Sequence, residues 1–478
     1  MTAPSPQTPK ILAVIVTWNK RDALDTMLTS LKACGTRSFD AVLVDNASAD
    51  GTLEMVREKH PWVRILENSE NLGGSGGFNR GMRHGLNAPE KYDFLWLLDN
   101  DVYVHPGALE GLLGPALADP QIGMSGSAIL LIDEPAHTQE VGALLPWSIG
   151  SPERLGEGPT RALDDAPLFE ADYVAACSAL VRTDAIRQVG LWDPAYYFMW
   201  DDMEWGVRFK RAGWRVVGCG ASRVGHESYH DRRALGAVIS GYMWNRNAFY
   251  FFRRYAPPRT RAWLLFCHCL ITLNLASNYA ADGRHREANA LRRAVKDFLD
   301  GRMGRPPEEL FAKPPPNEQQ SSIPPDALRE IHRIALVARD NPVAVRRIYD
   351  RLTELFPHAQ IDTLLLSDNA ELQRIPPPNA RKALTTTFGK RLAIATDLVR
   401  HYNAVAAPEF LPRYYFELFP RWRIRVGSAL NCVVTRRSIP SALMLAASHL
   451  TNILRALWFT IRTLAKAPPP VDYHRFEE

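Results

Sequence analysis

The sequence predicts an α/β fold built on a mainly parallel sheet, and two observations carry that prediction. Short β-rich apolar runs alternate with segments of helical periodicity, as where residues 11–16 precede Leu24, Met27, Leu28 and Leu31. Four successive runs break into polar residues, giving Thr17, Asp45, Asn71 and Asp99. Ligands of open parallel sheets gather at the carboxyl ends of strands, so these positions also nominate a binding site.

Taken in order, residues 11–16 (ILAVIV) form a strand, Thr17-Trp18-Asn19 a loop, and residues 22–33 a helix. The next strand spans 39–44 and delivers Asp45, after which helical spacing resumes over 53–60. A third run, 63–66, leads into NLGGSGGFNRG at 71–81, with a helix predicted over 75–86. Glycines let backbone N–H groups approach a phosphate or sugar, and a helix amino terminus favours anions. A flexible loop before a glycine-tolerant helix is the other reading. The pattern is neither a dinucleotide fingerprint nor a P-loop.

Residues 94–98 (FLWLL) form a buried strand that breaks into Asp99-Asn100-Asp101. On extended backbone Asp99 and Asp101 share a face and can hold one divalent cation, although the same residues also suit a solvated turn. Beyond a turn-rich stretch (133–167), a strand is predicted over 173–181 and a short helix over 185–191. The aromatic run 196–200 then enters a helix that carries Asp201, Asp202 and Glu204 in its first turn and stops near Gly213. Asp201 and Glu204 fit a helix cap. The neighbouring aromatics equally fit faces for a sugar beside a carboxylate that takes a proton. A short strand over 214–217 and a glycine-rich turn lead to Gly225-His226-Glu227, where His226 is either structural or completes a site begun by two carboxylates.

At 478 residues and 46% apolar content, two or three folded domains are expected. The six cysteines form no C-x-x-C pair, which points away from zinc and disulfides and toward a reducing compartment. The amino terminus lacks a secretory layout, so export is not expected. The longest apolar stretch, 262–276, falls short of the roughly 20 residues that cross a bilayer, and is expected to lie on a membrane or pack internally. Residues 206–313 carry 20 Lys and Arg against 8 Asp and Glu. Such an excess suits nucleic acid, anionic lipid or a phosphorylated substrate; with no nucleic-acid module present, lipid or phosphate is expected.

The organisation expected is therefore a catalytic domain at 1–255, a basic helical extension at 256–305, a proline-rich linker at 306–325, and a smaller carboxyl-terminal α/β domain at 326–478. In that last unit strands are predicted at 334–337, 361–366, 391–395, 404–407 and 431–435, with a helix over 343–356 and a turn at Asp368-Asn369. A long helix over 441–466 is apolar with few charges, and suits docking either on a partner domain or on a membrane.

Taken together, VTWN (16–19), VDNASADGT (44–52), NLGGSGGFNRG (71–81), LLDND (97–101), MWDDMEW (199–205) and GHE (225–227) resemble the family 2 glycosyltransferases, especially the galactofuranosyl- and rhamnosyltransferase branch. The resemblance covers roughly residues 10–255 and implies the GT-A fold, a Rossmann-like nucleotide-diphospho-sugar transferase domain. It implies that Thr17, Asn19, Asp45, Asn71, Gly73, Gly74 and Asn100 hold the nucleotide-sugar donor, with Asp45 reading the base. Asp99, Asp101 and His226 would hold Mg²⁺ or Mn²⁺, Asp202 would be the general base of an inverting displacement, and Trp200, Asp201 and Glu204 would position the acceptor. Residues 242–255 are similar to the aromatic, arginine-rich stretch that follows the catalytic domain in that family, without a chemical role of their own being derivable.

The implied partners are a nucleotide-diphospho-sugar donor, a glycan or lipid-linked glycan acceptor, and an anionic membrane surface, at a cytoplasmic location peripheral to the inner face of the cell membrane. UDP-galactofuranose is favoured over dTDP-rhamnose as donor. Two other classes stay open. A nucleotidyltransferase would carry a basic glycine-rich loop where Thr17-Trp18-Asn19 stands, and a non-catalytic sugar-binding protein would tolerate loss of acids that are all present.

Overall fold

In the computed structural model, the described residues are 8–35, 38–148, 150–164, 168–226, 229–311, 323–338, 342–365, 381–382, 402–408, 422–426, 432–436 and 439–475. The apolar runs become strands β1 (Ile11–Thr17), β2 (Asp40–Asp45), β3 (Arg64–Glu67) and β4 (Phe94–Asp99), all parallel in the spatial order β3-β2-β1-β4. Helices α1 (Arg21–Ala33), α2 (Thr52–Lys59) and α3 (Gly73–Asn87) connect them. Side chains on a strand alternate between faces. Accordingly Ile11, Ala13, Ile15, Phe94, Trp96 and Leu98 fall in one core layer, and Leu12, Val14, Leu95 and Leu97 in the other.

Beyond β4 the sheet becomes mixed, a departure from the mainly parallel expectation. The chain continues through β5 (Tyr103–Val104), helix α4 (Ala108–Ala118), β6 (Ile122–Leu131), β7 (Glu134–Glu140), β8 (Gly142–Leu144), β9 (Glu153–Leu155), β10 (Gly158–Pro159), β11 (Leu168–Glu170) and β12 (Ser178–Arg182); β8 and β9 pair with each other in a separate two-stranded sheet, and the other strands join the main one. β12 runs antiparallel to both β4 and β6. The strand expected over 173–181 starts only at Ser178, because Tyr173 makes an isolated bridge to Ala143 and enters a different core cluster. Helices α5 (Thr183–Val189) and α6 (Asp201–Arg211) precede β13 (Arg215–His226). That last strand replaces the short strand and turn expected at 214–225. It runs parallel to β6 with an irregularity between Cys219 and Arg223, and so absorbs the glycines within the strand.

The residues after the sheet form α7 (Tyr229–Tyr255), α8 (Pro258–Ala281) and α9 (His285–Leu299), which pack on one another around Phe249, Phe251, Leu265 and Phe298. α8 is longer than the apolar stretch suggested, and among the described residues is a helix long and apolar enough to cross a membrane by length and composition. Of the linker, residues 312–322 lie outside the described residues.

Further on, α10 (Pro325–Glu330) leads into a second sheet. Its strands are β14 (Arg333–Ala338), β15 (Gln360–Leu365), β16 (Arg381–Lys382), β17 (Ala404–Pro408), β18 (Trp422–Val426) and β19 (Cys432–Arg436), with α11 (Pro342–Leu355) between the first two. The order is β16-β15-β14-β17-β18-β19, parallel except for β19. The strand expected at 391–395 and the turn at Asp368-Asn369 lie outside the described residues. A final helix, α12 (Ile439–Leu464), packs on α8.

Candidate active site

Register builds the first half of the site. Thr17 stands opposite Asp45 across β1 and β2, and Val16 opposite Asp99 across β1 and β4. Thr17 is buried and its hydroxyl accepts a hydrogen bond from the Asn100 amide at 2.9 Å. Asp45 is buried too; Oδ2 accepts from the Ser48 N–H, while Oδ1 has no hydrogen-bond partner among the described residues. A buried carboxylate oxygen without a donor is costly, which suits a ligand N–H at that place. Asn19 is already committed, its N–H donating to Ser48 and its Oδ1 accepting from Ala49, so it shapes the loop beside Asp45. Asn71 likewise accepts from the Gly73 N–H at 2.8 Å.

The glycines work differently from the expectation. Only Gly73 at the start of α3 has a left-handed φ, of 72°, and any side chain there would strike the Tyr197 carbonyl at 2.3 Å. Gly74 sits in ordinary contact range of Phe198 and Asp201. Gly77, Gly81 and Gly85 instead let α3 lie directly on Val16, Val14 and Leu95 of the sheet. Asn46 ties this turn to the strand ends, donating to the Gly73 carbonyl and accepting from Asn68.

The cation-site candidates converge through β5. Tyr103 and Val104 pair antiparallel with Gly225 and Val224, which draws the residues just after β4 to the end of β13. One ligand atom each from Asp99, Asp101 and His226 therefore lies within 4.8 Å of the others. His226 Nε2 is 3.3 Å from Asp101 and 3.8 Å from Asp99. The imidazole is fully buried, yet neither ring nitrogen has a hydrogen-bond partner among the described residues. Glu227, quoted beside it in the motif, lies outside the described residues.

The acid pair follows a strained turn. Tyr197, Met199 and Trp200 all have positive φ, at a cost on the order of 1–3 kcal/mol each. The Asn247 amide on α7 offsets this: its nitrogen lies 2.9 Å from the carbonyls of Tyr196, Phe198 and Met199. Asn247 thus supplies a role for the aromatic, arginine-rich stretch that the sequence alone left without one. Asp201 accepts from the Ser75 hydroxyl at 2.7 Å, so it does not cap its own helix. Burial, opposed by that hydroxyl, pushes Asp201 up to about 6. Asp202 is half-buried and accepts from the Met203 N–H; burial first, then the charge of Asp201, hold it well above the ordinary carboxylate range. The charge of Asp99 raises both groups, which places the acid pair in the field of the cation site.

Two predicted acceptor contacts are corrected. Trp200 is a core residue, 2% exposed, packed against Trp244, Phe251 and Phe252, so it offers no face for a sugar. Glu204 is fully buried and held by the Arg208 guanidinium at 2.7 and 2.9 Å, with the Tyr255 hydroxyl donating as well. An exposed aromatic near the donor edge is Trp18, at 42%, which meets Phe311 edge-on beneath the Arg305 guanidinium. Arg305 was not singled out from the sequence, where it is one arginine in a basic stretch.

Residues 8–241 match the family model described as Glycosyltransferase like family 2. Among curated proteins, the N-acetylglucosaminyl-diphospho-decaprenol L-rhamnosyltransferase of Mycobacterium tuberculosis is 28% identical over 46% of this chain and 76% of its own length. Galactofuranosyltransferase GlfT1 of Mycolicibacterium smegmatis is 25% identical over 53% of this chain and 82% of its own. Among solved structures, GalNAc-T7 with UDP, GalNAc and Mn2+ aligns at a TM-score of 0.40 and 16% identity, covering 51% of each chain; this chain spans about half the length of that protein.

Proposed function

We propose, from the premise that residues 8–241 are a glycosyltransferase family 2 domain, that this protein transfers a sugar with inversion from a nucleotide-diphosphate donor to a hydroxyl of a cell-surface or lipid-linked glycan. Rhamnose or galactofuranose is the sugar this reading favours, because relatives named for those transfers cover the same half of the chain. The observation that carries it is the cluster of Asp99, Asp101 and His226 within the field that also acts on Asp201 and Asp202.

The donor set fits a cation. Two carboxylates and a buried imidazole with both nitrogens open suit Mn²⁺ or Mg²⁺, the nitrogen favouring Mn²⁺. When bound, the ion would offset charge growing on the departing nucleoside diphosphate. The open Asp45 oxygen would accept from a ring N–H of a pyrimidine, and Gly74 would keep the start of α3 clear beside Asp201. Asp202, the less enclosed of the pair, would take the proton of the acceptor hydroxyl, while Asp201, held by Ser75, would orient that hydroxyl. A cytoplasmic location at the membrane face, where a lipid-linked acceptor would be met, completes this reading.

Incubation with a panel of nucleotide sugars should release a nucleoside diphosphate and an elongated glycan; release of pyrophosphate would replace this reading with nucleotidyl transfer. Substituting Asp99→Asn should weaken donor binding in Mn²⁺ by about 10–100-fold by calorimetry. Unchanged affinity would remove the cation from the donor site.

A further inference from the structure

We infer that the outward faces of α12 and α8 form a docking surface for an anionic lipid bilayer. α12 is two-sided. Its inner side is fixed to the body of the protein: Phe459 packs on Phe249 and Phe298, and the Asn452 amide donates to Asn274 and Ser277. Its outer side is apolar and open. Of the eighteen exposed large apolar side chains among the described residues, eight lie on this one helix. Leu450, Leu454, Leu457, Trp458 and Ile461 recur at helical spacing, with Leu454 69% and Trp458 54% exposed. α8, packed alongside, adds Trp263 and Ile271. A contiguous apolar face of this extent marks an interaction site.

Charge selects the occupant. Neither helix contains an acidic residue, whereas Arg259, Arg455 and Arg462 are exposed along them and Lys466 follows. The Arg462 guanidinium lies 5.1 Å from the Trp458 ring centroid, a cation and an amphipathic ring side by side, as suits the headgroup level of a membrane. A two-fold pairing of this face with a second copy would set arginines near arginines, whereas anionic headgroups neutralise them. The inner contacts of both helices hold them against the body, so the surface lies on the bilayer and does not cross it. The inference rests on the sugar-transfer reading only for its purpose, to reach a lipid-linked acceptor.

Flotation with vesicles of equal parts phosphatidylcholine and phosphatidylglycerol, against phosphatidylcholine alone, tests it. The full chain should float with the anionic vesicles and release as salt rises. The double variant Leu454→Asp/Trp458→Asp, at exposed positions, should lose more than about tenfold in partitioning. Arg455→Gln/Arg462→Gln should lose about fivefold per arginine on anionic vesicles only. Donor affinity by calorimetry should stay at the parent value in both, which shows that they fold. Flotation of either variant like the parent overturns the proposal, as does a parent that floats with neither vesicle. A dimer dissolved by the aspartates with vesicle binding intact also overturns it and assigns the face to a second copy. Vesicle binding without donor binding would defeat the sugar-transfer reading and leave this surface standing.

Discussion

Two acids three residues apart on α6 meet opposite surroundings. Glu204 faces the back of the helix, where Arg208 grips both its oxygens, Tyr255 donates to it, and Tyr473 lies with its ring under the Arg208 guanidinium. Asp201 faces the strand ends, where it receives a serine hydroxyl and backbone N–H groups, and among the described residues no ion pair reaches it or Asp202. A buried charge with a full complement of partners anchors structure. A carboxylate denied a cation costs stability and keeps a raised proton affinity, which is what proton transfer needs.

Substitutions on the two sides should separate cleanly. Asp202→Asn is expected to lower turnover by about 10²–10⁴-fold, with donor affinity by calorimetry and melting temperature at or above the parent values. Normal turnover in that enzyme would mean that Asp202 is not the base. Glu204→Gln leaves Arg208 buried without its countercharge and should lose about 3–5 kcal/mol in denaturant unfolding, while the fraction that remains folded binds donor normally.

Asn247→Ala touches neither acid. It takes a donor from three carbonyls of the strained turn, and should cost about 1–3 kcal/mol of stability and reduce kcat with little change in donor KM. The smallest effect is on pH dependence. A base acts when deprotonated, so a raised carboxyl pKa moves the acid limb of the rate profile upward. Asp202 is held well above the ordinary carboxylate range, so activity should fall as pH drops while still above that range, and not first within it. In Asp201→Asn the limb should shift to lower pH, because the neighbouring charge that raises Asp202 is gone. A limb that stays in place would mean the pair does not interact.

Much of the catalytic sheet was legible from local pattern. Strands β1 to β4 and the acids at their ends follow from short apolar runs that stop at polar residues, signals that need no distant contact. The glycine run was legible as a helix start, but the packing of Gly77, Gly81 and Gly85 on Val16, Val14 and Leu95 was not, since a missing side chain does not say what fills its space. β13 was read too short because its irregular register is stabilised by β6 and β5, partners far away in sequence. Asn247 gave no signal at all: an asparagine within an aromatic helix shows its use only against the turn it holds.

By itself the sequence determined which residues are available for chemistry, because apolar periodicity sets where strands end and residue type sets what an end can bind. Which of them are free to act is set by contacts between segments distant in the chain. Trp200 and Glu204 read like acceptor contacts until their partners from α7 enclosed them, and His226 gains its place beside Asp99 and Asp101 only through the pairing of β5 with β13. The reason is that burial and charge compensation are set by neighbours brought from elsewhere in the chain, and a spacing rule cannot contain them.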